Sequence, residues 1–186
     1  MKQILLAIPV FFLVACADND SSSDLTSPVD HLAVGDSITN QAQQVLLTNV
    51  AGAMKQGGPV HAVEFCNINA SSLMDSLSEL HHVSISRVSE KNRNPNNKAS
   101  GFEIDLLTTL ESLNLKDTVL VAQGKTTYYK SIRLGMPACI KCHGVPNEDI
   151  NEATLSVLNQ RYPNDLATGY KLEDFRGAWK VVFSDN

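Results

Sequence analysis

The sequence has no stripe of basic residues, no internal repeat and only one long apolar run, which lies at its N-terminus. The formal net charge of -5 at pH 7, taken with the missing basic stripe, argues against nucleic acid as a partner. Without a second apolar run, the chain offers no transmembrane segment that could carry a signal onward. The length that follows the N-terminal region fits one domain with enough apolar residues for a core.

The single apolar run has the form of an export signal. Lys2 precedes it, it covers residues 4–15, and it ends in the four residues Leu-Val-Ala-Cys at 13–16. A run this short does not span a bilayer but fits a signal-peptide core. The four residues resemble a lipobox, which predicts a lipoprotein signal peptide over 1–15 and lipidation of Cys16. The alternative is an ordinary secretory signal with cleavage near residue 15 or 17.

The segment after the signal peptide is polar and acidic and has no apolar period. We expect residues 16–31 to form a flexible tether and residues 32–186 to form the folded domain. A lipid on Cys16 would then anchor the protein on the periplasmic side of a bacterial membrane, either the inner or the outer one.

Only one C-x-x-C pair is present, and no H-x3-H pair accompanies it. A closed zinc site needs four ligands, so a zinc site lacks partners here, and a redox dithiol is the other alternative. Cys139 and Cys142 are followed directly by His143, which is the c-type haem attachment pattern. Two thiols at this spacing can reach the vinyl groups on one porphyrin edge, and His143 then becomes the proximal iron ligand. We expect one covalent haem c.

No methionine or histidine follows His143, so a second iron ligand must come from upstream. Cys66 is the one cysteine of four that neither the lipid nor the haem would use, and an odd thiol in an exported protein needs a reason. It could be a small buried apolar residue or an iron ligand. Most other candidates for the second iron ligand are disfavoured, because they are expected to pack in the core, to be solvated or to lie too close to the attachment loop. His61 and Cys66 both stay open. The full set is Met54, Met74, Met136, His31, His61, His81, His82 and Cys66.

Apolar periodicity predicts a mixture of helices and strands. A first helix is expected to begin after a cap at Asp36 or Ser37 and to end at Gly57 and Gly58, and a second helix to begin at Pro59. Further helices are predicted over 102–113 and 150–163, and strands over 83–89, 118–124, 125–134 and 177–184. This order indicates an α+β domain, whereas class-I cytochromes c are nearly all helix.

Four separated stretches carry a family resemblance: "RVSEKNRNPNNKASGFE", "CIKCHG", "RYPNDLATGY" and "DFRGAW". Together they resemble the bacterial domain-of-unknown-function family of c-type haem proteins with a PAS-like fold. The resemblance implies a PAS-like antiparallel sheet with N-terminal helices and a covalent haem. It also implies iron ligation by His143 on one side and by Cys66, from an N-terminal helix, on the other. The stretch "RLGMPAC" departs from the family pattern at Gly135 and Met136.

The haem propionates need partners if they are partly buried. Arg87, Arg93 and Arg133 are the candidates, and Arg93 is favoured because it lies in the family-like stretch "NRNPNN". Packing or turn roles are expected for Tyr162, Pro163, Asp165 and Trp179.

A thiolate ligand favours ferric iron, so we expect a haem that is hard to reduce. Reduction would weaken the bond to Cys66 and open that side to a diatomic gas such as CO or NO. The function expected is a redox or gas sensor that signals to a separate protein partner, and a periplasmic electron carrier is the alternative. An enzyme is not expected, because a peroxidase needs an open iron site and a distal acid or base. His61 would be the only candidate for that group, and a bound Cys66 would block it.

Overall fold

The computed structural model describes residues 30–184. The predicted signal peptide, Cys16 and most of the predicted tether lie outside the described residues, so those predictions stay open. Four helices and four strands follow one another as α1 (His31–His81), β1 (Val83–Val88), α2 (Phe102–Ser112), β2 (Asp117–Ala122), β3 (Lys125–Arg133), α3 (Ile140–His143), α4 (Glu152–Arg161) and β4 (Phe175–Phe183). No helix in this part of the chain combines the length and the apolar character that crossing a membrane requires.

Helix α1 is interrupted where the two glycines were expected to end it. Gly57 and Gly58 have non-helical backbone angles, with φ of +68° at Gly58, and Pro59 begins the second half of the helix. The predicted start was wrong. The helix begins at His31 because the carboxylate of Asp30 accepts hydrogen bonds from the backbone N–H groups of Leu32 and Ala33.

The four strands form one antiparallel sheet in the order β1-β4-β3-β2. The strand predictions are confirmed apart from shifts at their ends, and β4 begins two residues earlier than expected, at Phe175. Strands β2 and β3 are joined by Gln123 and Gly124, both with positive φ, which is the backbone of a tight hairpin turn.

Both faces of the sheet are covered by helices. Helix α1 packs on one face, where Tyr128 and Trp179 are buried among aliphatic side chains of the helix. Helix α2 packs on the other face, where Leu107 and Leu110 contact Tyr129. Tyr128 and Tyr129 are neighbours in β3, so alternation along the strand sends their rings to opposite faces. The structure is therefore α+β, as predicted, and α3 and α4 lie beyond the sheet against the second half of α1.

Candidate haem site

The C-x-x-C-H motif forms a single helical turn. The backbone N–H groups of Cys142 and His143 donate to the carbonyl of Cys139, at 3.2 and 3.0 Å. Cys142 packs against a small apolar cluster that includes Val63, and Cys139 packs against another that includes Tyr170. Both thiols are free and partly buried. The turn therefore holds the two cysteines and the histidine together, as attachment to one porphyrin would need.

The imidazole of His143 is oriented by a backbone carbonyl. Its Nδ1 lies 2.8 Å from the oxygen of Ala167, and a carbonyl can only accept, so Nδ1 carries the proton and donates. This tautomer leaves Nε2 with a free lone pair, which is how histidine ligands of metals are commonly arranged. Burial, and after it the charges of Arg93 and Arg176, hold the pKa of His143 well below its usual value. The ring is therefore neutral at pH 7 and ready to ligate a metal.

The segment around Ala167 lies along the motif through two further backbone bonds. The N–H of Gly169 donates to the carbonyl of Gly144 at 2.7 Å, and the N–H of Tyr170 donates to the carbonyl of His143 at 3.0 Å. The ring of Tyr170 meets that of His143 edge to face, with centroids 6.4 Å apart. The motif "CIKCHG" and the end of the stretch "RYPNDLATGY", from Ala167 to Tyr170, thus form one layer of the site.

Arg93 joins three parts of the site. Its Nε donates to Oδ2 of Asp165 at 3.0 Å, and its Nη2 donates to the carbonyls of Cys142 and Ala167, at 2.6 and 3.3 Å. Asp165, expected only in a packing or turn role, is therefore also the partner in an ion pair. Arg93 directs these donors at protein groups, and its predicted contact with a propionate stays a prediction.

Arg87 and Arg176 lie close to the same site. Arg87 stacks on Trp179, 5.7 Å from the ring centre, and Arg176 donates to Oγ of Ser89 at 2.7 Å. Burial lowers the pKa of both guanidinium groups, and the charges of Arg93 and Arg87 lower that of Arg176 further. Sequence reasoning missed Arg176, although it lies inside the quoted stretch "DFRGAW".

The charge balance of this site is a test of whether a haem fits. Among the described residues, Asp165 is the only carboxylate paired with any of the three arginines, Arg87, Arg93 and Arg176. Buried positive charges without counter-charges are unfavourable. Two propionates and a thiolate are anions of the kind that this cluster lacks, so the residues present fit a haem.

Cys66 shares this environment. It lies in the second half of α1, and burial raises the pKa of its thiol while the positive charges of Arg87 and Arg93 oppose that rise. The pKa of Cys142 is raised to about 11, mainly by burial, and nearness to Cys66 contributes. The structure therefore brings Cys66 together with the haem motif and two of the arginines.

Other predicted site residues have partners elsewhere. Nε2 of His61 lies 3.2 Å from Oε1 of Gln56, which holds the ring beside the break in α1. The guanidinium of Arg133 donates to Oδ1 of Asn114 and to the carbonyl of Glu173, and these contacts include no residue of the haem motif. Of the remaining candidates for the second iron ligand, Met74 is buried against the sheet, Met54 is half-buried and Met136 has 42% of its surface exposed. His31 packs against Phe183, His81 lies against Gln41, and His82 is exposed, with its carbonyl accepting from Oγ of Ser184.

Within residues 30–184, no group of three or more His, Cys, Asp or Glu side chains is arranged to hold a metal ion. A closed zinc site is therefore not found in the described part of the chain. A haem iron takes only two protein ligands, so this result leaves the haem prediction as it stands.

Fold and site together define a class of α+β proteins in which a C-x-x-C-H turn follows the third strand of a four-stranded antiparallel sheet. The family model described as Tll0287-like matches residues 24–184, and the chain belongs to that family. The family resemblance drawn from the sequence is confirmed. The crystal structure of the cyanobacterial heme-protein Tll0287 superimposes with a TM-score of 0.67 at 18% identity, covering 86% of this chain and 98% of that chain. This likeness shows a shared fold, and no curated protein matches the chain.

Proposed function

We propose that the protein binds one haem c covalently through Cys139 and Cys142, with His143 and Cys66 as axial ligands, and works as a redox or diatomic-gas sensor. The observation that carries this proposal is the hydrogen bond from Nδ1 of His143 to the carbonyl of Ala167, at 2.8 Å. Because Nδ1 carries the proton, Nε2 of His143 keeps a free lone pair, which is the state that a proximal ligand requires. His143 also follows Cys142 directly in the chain. A related fold in a cyanobacterial heme-protein supports the same assignment.

A PAS-like fold is part of this proposal. The strand order β1-β4-β3-β2 and the insertion of helix α2 between β1 and β2 support it. Folds of this kind commonly bind cofactors and report their state to a partner, although fold alone does not establish function.

The switch in this proposal is the state of the Cys66 thiol. Bound haem would supply a one-electron couple and, once its distal side is free, a binding site for CO or NO. Burial of Cys66 favours the neutral thiol and raises its pKa, and the positive charges of Arg87 and Arg93 oppose this rise by favouring the thiolate. Loss of positive charge from the iron on reduction would shift this balance toward the thiol and release it.

The arginine cluster supports binding of the propionates. Arg176, which forms no ion pair within the described residues, and Arg87, which stacks on Trp179 there, are the guanidinium groups best suited to pair with carboxylates. Arg93 is engaged with protein groups, and Arg133 with residues outside the site. We therefore assign the propionates to Arg87 and Arg176 rather than to Arg133.

Electron transfer is the second candidate function, and the exposure of the attachment loop favours it. Met136 is 42% exposed, and the residues from Gly135 to Ala138 are exposed ahead of Cys139. A haem edge held by Cys139 would lie near the surface, where a separate redox partner could approach. Export, lipidation of Cys16 and a position on the periplasmic side of a membrane belong to both candidates. No catalytic role is proposed, because Cys66 would occupy the second axial position.

The test compares Cys66→Ala with His61→Ala as its matched control on the same helix. We expect ferric native protein and His61→Ala to share one low-spin thiolate spectrum by absorption and low-temperature EPR, and Cys66→Ala to lose it. After reduction, we expect native protein to bind CO. An unchanged spectrum in Cys66→Ala would refute Cys66 as a ligand. Retention of the thiolate signature on reduction, without CO binding, would favour the electron carrier.

A further inference from the structure

The carbonyl of Ala167 accepts two hydrogen bonds. Nδ1 of His143 donates to it at 2.8 Å, and Nη2 of Arg93 donates to it at 3.3 Å. The second donor carries a full positive charge, whereas the first belongs to a neutral ring. The oxygen that orients the proximal histidine is therefore shared with a guanidinium group.

Asp165 fixes this arrangement from the other side. Its Oδ2 accepts from Nε of Arg93 at 3.0 Å, and its Oδ1 accepts from the backbone N–H of Ala167 at 2.8 Å. The side chains of Arg93 and Asp165 are only 13% and 6% exposed, so solvent screens their interaction weakly. One carboxylate thus holds both the guanidinium group of Arg93 and the backbone of Ala167, whose carbonyl accepts from Arg93 and from His143.

We propose that Arg93 is a positioning residue that weakens the hydrogen bond between His143 and Ala167, and through it would set the redox balance of an iron held by His143. This inference rests on the proposed function, because it requires His143 to be an axial ligand. It assigns Arg93 a role other than the propionate contact that its sequence context suggested.

The direction of the effect follows from elementary electrostatics. A charged donor on the carbonyl oxygen draws electron density from it, so the oxygen accepts less strongly from Nδ1 of His143. The imidazole then has less anionic character and is a weaker electron donor to the metal. The positive charge of Arg93 acts in the same direction, because it disfavours the more positive ferric state. Both effects raise the reduction potential relative to a protein without Arg93.

The experiment uses the full chain with haem attached and compares native protein with Arg93→Gln and Arg93→Lys. Arg161→Gln is the control, since Arg161 is an exposed arginine paired with Glu64 on the surface. Two quantities are measured: the midpoint potential, and the frequency of the bond between iron and His143 by resonance Raman of reduced protein in a Cys66→Ala background. Circular dichroism and a haem stain of denaturing gels report folding and attachment.

We expect Arg93→Gln to increase the ferric-to-ferrous ratio at a fixed poise by about tenfold, which is about 59 mV for a one-electron couple. The iron-histidine frequency should rise at the same time, because the imidazole becomes more anionic. Arg93→Lys should shift both quantities in the same direction but less, since a flexible ammonium cannot hold Asp165 and the carbonyls in one plane. Arg161→Gln should change neither.

Two results would overturn the inference while leaving the proposed function intact. If both Arg93 variants keep their haem and fold but show native potential and frequency, Arg93 does not act on His143. If the potential shifts while the frequency does not, Arg93 acts only through its charge. By contrast, native protein without covalent haem on the gel would refute the proposed function itself. If Arg93→Gln fails to fold, the shift in Arg93→Lys decides the question.

Discussion

The two ends of the domain are built differently. The sheet core, formed by the buried clusters around Tyr128 and Leu110 on the two faces of the sheet, is filled with aromatic and aliphatic side chains. Its charges are paired, as when Glu103 accepts from Lys180 at 2.7 Å. The haem-site end, formed by α3, α4 and the segment 165–170 against the second half of α1, has two small apolar clusters with cysteines at their margins.

Charge separates the two ends further. The haem-site end gathers Arg87, Arg93 and Arg176, and among the described residues Asp165 is the only carboxylate that pairs with any of them. Apolar burial and paired charges stabilise the sheet core without any ligand. The haem-site end has the cationic groups and the small apolar surfaces that an amphipathic, dianionic ligand would complete. We infer that stability comes mainly from the sheet core and that ligand dependence is confined to the other end.

The largest effect is expected from a cavity in the sheet core. Leu110 is fully buried between α2 and the sheet, and its replacement by alanine should lower the free energy of unfolding by about 2–5 kcal/mol. The loss should be the same in native protein and in a Cys139→Ala/Cys142→Ala background, because distant sites add independently. Urea denaturation of the four proteins measures it.

Leu113→Ala is the matched control, since Leu113 follows the same helix and is 65% exposed. Its effect should stay within about 0.5 kcal/mol. If the loss of unfolding free energy in Leu110→Ala differs when the attachment cysteines are replaced, the two ends are not energetically independent.

A smaller effect is expected at the haem-site end from Gly144→Ala. A Cβ at Gly144 would lie 2.6 Å from the carbonyl oxygen of Ile140 and 2.5 Å from Cβ of Asp149, so the backbone beside His143 must shift. Overpacking of this kind costs about 1–3 kcal/mol. Under the proposed function, we also expect the fraction of chains that carry covalent haem to fall, as measured by haem absorbance per protein on denaturing gels.

Gly52→Ala tests whether any added methyl would do the same. Gly52 lies inside α1 with nothing within 4 Å of the added Cβ, so alanine there should stabilise the helix by about 0.5–1 kcal/mol. Normal haem loading in Gly144→Ala would show that the backbone beside His143 can shift without loss of haem. That result would weaken the distinction between the sheet core and the haem-site end.

The sequence predicts the parts of this fold that local patterns control. Alternating residues identified β1, and the break at Gly57 and Gly58 followed from residues that do not continue a helix. The start of α1 was misplaced by several residues because Asp36 looks like a cap, whereas its carboxylate is used by Lys130, 94 residues away. Contacts between residues so far apart in the chain produce no periodic pattern in the sequence.

The candidate site divides in the same way. Cys139, Cys142 and His143 are recognisable because the c-type attachment pattern has a fixed spacing in the chain. Arg176 was missed because its nearness to the motif depends on how β4 pairs with its neighbours and on the loop that carries Tyr170. Asp165 was assigned a turn role for a similar reason, since its ion pair with Arg93 spans 72 residues.

The smallest expected effect is a loss of unfolding free energy at low pH, where the ion pairs of Asp36 are lost. Nζ of Lys130 and Nζ of Lys116 lie 2.8 and 3.0 Å from Oδ1 of Asp36, joining α1 to the sheet. Hydrogen bonds from Lys130 and then Lys116 lower the pKa of Asp36 from 3.8 to about 2. Because the pKa is lower in the folded state than in the unfolded state, the stabilisation is present above about pH 4 and is lost as the pH falls toward 2.

Asp36 is partly exposed, so solvent screening reduces the contribution to about 1 kcal/mol or less. Asp36→Asn, Lys130→Met and the double variant form a thermodynamic cycle, measured by urea denaturation at pH 6 and at successively lower pH. The coupling free energy between the two residues should be favourable at pH 6 and should shrink as Asp36 is protonated. It should be the same with the attachment cysteines present or replaced by alanine, because the pair joins the first half of α1 to the sheet. A coupling that changes on loss of the cysteines would mean that the haem-site end transmits its state through α1 to the sheet, and the two ends would then have to be treated as one unit.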